Sequence, residues 1–149
     1  MIPTVIEREV LIEAPVDVVW KVVTEPEQIT RWFTDSAQID VRPGGEGTLF
    51  WDKRASNVPT TAHILVETVD PPHTFSFRWG HPEGAEAKSG NSMLVEFTLR
   101  AEGENTRLRV VESGVAELDW PEEQKATYVE DHNGGWKIHL TSLDRKSVV

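Results

Sequence analysis

The chain has 149 residues, 38% hydrophobic and 27% charged, which is long enough for a buried core and too apolar for disorder. It has no cysteine, so disulfides and thiolate chemistry are excluded. A formal net charge of −10 argues against nucleic acid and anionic membrane as partners, because both select basic surfaces.

Val5 to Ala14 reads as the first strand, with Val10, Ile12 and Ala14 on one face. Pro15 then opens a helix with the stripe Val16, Val19, Trp20 and Val23, ended by Thr24 or Glu25. Pro26 starts a second short helix that buries Ile29, Trp32 and Phe33. After Asp35 the period changes to two. Ala37 to Val41 is a strand, Pro43-Gly44-Gly45 a turn, and Gly47 to Asp52 the next strand. Lys53 to Pro59 reads as a loop. Thr61 to Val69 is a strand closed by Asp70-Pro71-Pro72. Thr74 to Trp79 alternates, with Phe75, Phe77 and Trp79 on one side. His81 to Asn91 is the longest loop, and Ser92 to Arg100 with Thr106 to Ser113 forms a hairpin.

Pro121 to Val149 is one long amphipathic helix. Val129, His132, Trp136, Leu140 and Leu143 recur every three or four residues and share a face. Asp119, three residues before Glu122, resembles a capping box. The stripe is broken by polar residues in its first half: Lys125, His132, Asn133 and His139 lie on it or at its margins. Gly134 and Gly135 sit mid-helix, at a cost of roughly 2 kcal/mol relative to alanine. Two readings stand: a kink or close backbone approach, or room beside Trp136 for a ligand. The order is strand, two short helices, six strands, long helix. Short turns make the sheet antiparallel, and the last helix is the obvious cover for its apolar face. The expected class is α+β, in one domain over residues 1–149. Met1-Ile2-Pro3-Thr4 has no basic run ahead of an apolar core, and no stretch is long enough to span a bilayer, so a cytoplasmic protein is expected.

Several of these stretches together resemble a known family. They are Ile12-Glu13-Ala14-Pro15 with Val19-Trp20, Glu25-Pro26-Glu27, Arg31-Trp32-Phe33 and the Pro43-Gly44-Gly45 turn. The order and spacing are similar to the START-like (SRPBCC) superfamily. Ser113-Gly114-Val115 and Gly135-Trp136 resemble one branch of it, the homologues of the ATPase activator of the ninety-kilodalton heat-shock chaperone. The resemblance covers nearly the whole chain. It implies the helix-grip fold of the birch-pollen allergen, with a hydrophobic cavity between sheet and C-terminal helix. Members of the superfamily bind lipids or polyketides, act as aromatase-cyclases, or serve as co-chaperones. The eukaryotic activator also carries an N-terminal chaperone-binding domain. This chain lacks it, which argues against chaperone activation. No catalytic motif is shared across the branch, and no cofactor is expected.

Residue chemistry narrows the function further. His132 and His139 lie two helical turns apart, ~10 Å by rise, too far for one ion. His63, His73 and His81 have no carboxylate at ligand spacing, so no metal site is expected. There is no Gly-x-Ser-x-Gly elbow, and Gly44-Gly45-Glu46-Gly47 lacks the Lys-Ser/Thr of a phosphate loop. Glu112 follows Leu108 and Val110 on one strand face. Either it points inward with His132, forming an acid-base pair in an apolar cavity, or it sits at the wet end of the sheet while His132 makes a local hydrogen bond. Trp51, Phe75, Phe77, Trp79, Phe97 and Trp136 are candidates for the concave interior, with Trp32 and Phe33 near one mouth. An aromatic core accounts for most of them. Several tryptophans beside His, Asn and Gly also fit an apolar pocket with a few polar anchors. The expected function is binding of a small hydrophobic molecule, aromatic, lipid or polyketide-like. The alternatives are a cyclase- or hydrolase-like enzyme using Glu112 and His132, and a co-chaperone-type interaction module. The mixed acidic surface gives no reason for strong self-association, so a monomer or weak dimer is expected.

Overall fold

The computed structural model describes residues 4–52, 60–81 and 84–147. The predicted Lys53–Pro59 loop and the last two residues of the predicted helix lie outside them. Strand β1 (Ile6–Ile12) is followed by helices α1 (Val16–Thr24) and α2 (Pro26–Ile29). Then come β2 (Ser36–Ile39), β3 (Glu46–Trp51), β4 (Thr60–Asp70), β5 (Thr74–Trp79), β6 (Met93–Glu102) and β7 (Asn105–Ser113). A short 3-10 turn, Val115–Glu117, leads to the long helix α3 (Glu122–Ser147). This is the expected element order, with most boundaries moved by one or two residues; α2 ends at Ile29, so Trp32 and Phe33 lie beyond the helix expected to carry them.

All seven strands form one antiparallel sheet in the order β1-β7-β6-β5-β4-β3-β2. The first strand therefore pairs with the last, and α1 and α2 carry the chain from one edge of the sheet to the other. Pro26 stands at the first helical position of α2, where its missing N–H costs nothing. Trp32 and Phe33 follow α2 in a turn whose amides bond back to the Ile29 carbonyl, and both are buried. Between Val66 and Thr68 the β4–β5 register slips, and such a bulge bends a strand and adds twist. Gly45 lets the β2–β3 turn close tightly, since a Cβ there would lie 2.0 Å from the Asp40 carbonyl oxygen.

Alternation decides what meets the helix. Met93, Val95, Phe97 and Leu99 on β6 are buried, as are Thr106, Leu108, Val110 and Glu112 on β7. Glu112 is the inward position that follows Val110 at period two, and it stands opposite Ile6 on β1 and Val95 on β6. Helix α3 lies across this face as the helix-grip arrangement requires. Arg8 on β1 ties it from the side, donating from Nε to Asn133 Oδ1 at 2.8 Å. Lys125 Nζ donates to the Ala116 carbonyl at 3.2 Å and seats the helix start on the 3-10 turn.

The start of the long helix is also corrected. The helix begins at Glu122, and Pro121 is the cap, its carbonyl accepting the Lys125 N–H at 3.1 Å. Asp119 is exposed and stands two residues short of the capping position, so no Asp119–Glu122 capping box forms. No helix among the described residues is long and apolar enough to cross a membrane.

Candidate functional site

A cavity of ≈ 430 Å³ lies between the Tyr128–His139 stretch of α3 and the ends of β3, β4 and β5. Its aromatic wall is Phe33, Trp51, Trp79 and Trp136. Tyr128, Asp131, His132, Gly135 and His139 add the helix side, and Thr60, Ala62 and Gly80 complete the sheet side. The rings hold one another in place. Trp136 stacks on Phe33 with centroids 5.2 Å apart, and on Trp79 at 6.0 Å. His139 meets Phe33 edge-on at 4.9 Å. Trp51 is fixed by the bond its Nε1 gives to the Phe33 carbonyl at 2.7 Å. Each of these indole N–H groups has an acceptor, which lets the large rings line a hollow without an unmet donor.

At the edge of this cavity sits a carboxylate with no exposed surface. Glu112 is 0% exposed. Its Oε2 accepts from Trp79 Nε1 at 2.8 Å and from the Tyr128 hydroxyl. Its Oε1 accepts from Trp136 Nε1 at 2.9 Å and lies 3.0 Å from His132 Nδ1. Four partners from β5 and α3 thus saturate one side chain of β7, as a buried charge requires. Burial pushes the Glu112 carboxyl up. The bond and charge of His132, with the bonds from Tyr128 and Trp136, outweigh it, so the net position is below the ordinary carboxylate value. Tyr128 moves far the other way: burial and then the charge of Glu112 hold its hydroxyl protonated. Burial also lowers His139, partly offset by its bond to the Trp32 carbonyl.

Of the two sequence readings of Glu112, the wet sheet end is therefore overturned, because the strand carries this residue under α3 and not past it. The other sequence candidates separate into two groups. Phe33, Trp51, Trp79, His132 and Trp136 line the cavity, with Glu112 bonded behind them. Trp32, Phe75, Phe77 and Phe97 are buried in the core and take no part in the cavity wall. Trp32 is locked there by its Nε1 bond to the Val22 carbonyl at 2.8 Å. Phe97 comes nearest, edge-on to Trp136 at 5.7 Å.

Sequence reasoning missed Tyr128. A signal was available: Tyr128, His132 and Trp136 recur every four residues, a polar aromatic row on one helix face. Tyr128 stacks on His132 with centroids 3.7 Å apart. Gly135 borders the cavity, and a Cβ built on it would meet nothing within 4 Å. Close backbone approach does not explain this glycine. The space beside it is left open by the protein itself.

Two other hollows are present. One of ≈ 570 Å³ adjoins the start of α3 and shares Tyr128, Asp131 and His132 with the aromatic cavity. A larger one, ≈ 1430 Å³, runs along β2, β3, β4 and residues 80–81 and 84–87, with no Phe, Trp or Tyr among the described residues of its wall. Size alone does not make a site, and the groups shifted by burial, Glu112, Tyr128 and His139, gather at the smaller cavity, while the shifts of Glu7, Glu102, Arg107 and Arg109 come from exposed ion pairs on the sheet. Among the described residues, no group of three His, Asp or Glu side chains is placed to hold a metal ion.

The family described as activator of Hsp90 ATPase homolog 1-like protein matches residues 13–146. The chain belongs to this family. Its fold is shared with solved structures at low identity. Protein MLL2253 from Mesorhizobium loti is 20% identical, with 95% of each chain covered and a TM-score of 0.77. CalU16 from Micromonospora echinospora is 24% identical over 96% of this chain and 75% of its own, with a TM-score of 0.68. The Aha1 dimer from Colwellia psychrerythraea is 17% identical over 95% of this chain and 94% of its own, with a TM-score of 0.74. Among curated proteins the sequence finds no match.

Proposed function

We propose that this chain binds a small, mostly apolar aromatic molecule in the cavity between the sheet and α3. One observation carries the reading: a ≈ 430 Å³ hollow walled by four large rings, beside a helix glycine whose missing side chain nothing replaces. Pockets for small molecules have this size and composition, apolar with a few placed polar groups. Membership of the family supports a scaffold with an internal cavity. The ligand-lining residues in this proposal are Phe33, Trp51, Trp79, His132 and Trp136, with Glu112 holding the polar end. Calorimetric titration against aromatic polyketides, flavonoids and fatty acids tests it. Saturable binding of one molecule per chain by an aromatic ligand is expected, with a change in tryptophan emission. A protein that binds none of the panel lacks this function, and a co-chaperone-type complex then becomes the better account.

A second reading has its own observation, the 3.0 Å contact between His132 Nδ1 and Glu112. An imidazole oriented by a buried carboxylate is a general-base arrangement. Turnover of a polyketide substrate that disappears in Glu112→Gln and His132→Ala would make the protein a cyclase- or hydrolase-like enzyme. Of assembly we infer a monomer or weak dimer, given the formal charge of −10. The Colwellia relative is described as a dimer, and light scattering at micromolar concentration decides whether this chain follows it.

A further inference from the structure

The Glu112 cluster fixes where its protons sit. An ionised carboxylate only accepts hydrogen bonds, and an indole N–H only donates. Trp79 and Trp136 therefore donate to Glu112, and the Tyr128 hydroxyl commits its proton there as well. By the same constraint, His132 in its neutral form must carry its single proton on Nδ1. Nε2, on the opposite edge of the ring, is left as the free polar atom of His132, which has no other hydrogen bond among the described residues.

The other polar groups of the wall point the same way. Tyr128 offers only oxygen lone pairs, because its hydrogen faces the carboxylate. His139 is packed edge-on against Phe33 with centroids 4.9 Å apart. Asp131 stands exposed at the rim and adds a second acidic side chain. The described side chains around Tyr128 and His132 are thus rich in acceptors and in negative charge. Such a surface rejects a carboxylate and pairs with a hydroxyl.

We propose that the cavity selects hydroxylated aromatics, and that the phenolic or enolic O–H of the ligand donates to Nε2 of His132. This rests on the binding reading above and names the ligand class within it. Glu112 acts through His132 as a positioning residue: it holds the tautomer and steadies positive charge on the ring. Should the proton cross, the ligand O–H bond breaks and an Nε2–H bond forms. A phenolate–imidazolium pair results, with no further reactant.

A matched set of ligands tests this on the wild-type protein: 2-naphthol, its methyl ether and 2-naphthoate. Calorimetry should show 2-naphthol binding about tenfold or more tightly than the ether, the usual worth of a hydrogen bond reinforced by charge. Naphthoate should bind more weakly than either. Bound 2-naphthol should show an absorption shift towards naphtholate. His132→Phe should bring naphthol to the affinity of the ether and remove the shift. Nitrogen-15 NMR of the unliganded wild type should report the Nδ1–H tautomer, which keeps the test independent of how the variant folds. Equal affinities for naphthol and ether, tighter binding of naphthoate, or an Nε2–H tautomer would each overturn the proposal while leaving aromatic binding intact. Failure of all three ligands to bind would overturn both.

Discussion

The two halves of α3 lie on the same sheet and do opposite things. In the second half, Leu140 and Leu143 are buried at 4% and 0% exposure in a packed hydrophobic core. Before Leu140, Tyr128, His132 and Trp136 spend their inward positions on one carboxylate and one hollow. Burying leucine is favourable without any partner. Burying Glu112 is favourable only because four partners meet it, and loss of any of them exposes the cost of the charge. The packed half therefore holds the helix down, and that anchoring lets the other half stay polar and hollow.

This contrast can be broken from either side. The largest effect should come from Glu112→Leu, which strands the indole donors of Trp79 and Trp136 and the hydroxyl of Tyr128. A loss of about 3–5 kcal/mol in urea unfolding is expected, as for breaking a buried ionic cluster. A loss below about 1 kcal/mol would mean that the cluster is not a structural tie. Next comes Leu143→Ala in the dry half, with a loss of about 2–5 kcal/mol. Ligand affinity of the folded protein should stay as it was, and an equal fall in affinity would show that the two halves are not separable.

Gly135→Ala sharpens the comparison with effects of opposite sign. The methyl group meets nothing within 4 Å, so the helix should gain about 1 kcal/mol. The same methyl group intrudes on the cavity, and affinity for an aromatic ligand should fall. Unchanged affinity in calorimetry would remove Gly135 from the site. The smallest effect is in pH. His139 is lowered from its ordinary 6.5 by burial, so the unfolded chain binds a proton that the folded chain refuses. Stability should decline as pH falls below 6.5, and His139→Gln should flatten that first decline. Glu112 is lowered from 4.5, so its contribution is complete above that value and is lost as pH falls further. Thermal melts from pH 7 to pH 3 of wild type and variant check both limbs. A flat wild-type profile between pH 7 and pH 5 would contradict the burial of His139.

Much of this was written in the chain itself. Period-two alternation set the seven strands, and period 3.6 set α1 and α3, because side-chain direction follows backbone geometry directly. Glu112 was legible as an inward position from Leu108 and Val110, and Gly135 as an oddity in a helix. The sequence could not say how far along its strand the covered face extends. That depends on where α3 begins and how it crosses the sheet, and the same alternation put Phe75 and Phe77 in dry core and Trp79 at a cavity. Nor could it bring Trp79, Glu112 and Tyr128 together. They come from β5, β7 and α3, separated by 33 and 16 residues, and each alone reads as an ordinary core or surface residue. Local periodicity fixes the direction of a side chain; the partners of a buried charge are chosen by tertiary packing, because only there are donors from distant segments brought within hydrogen-bond distance of one carboxylate.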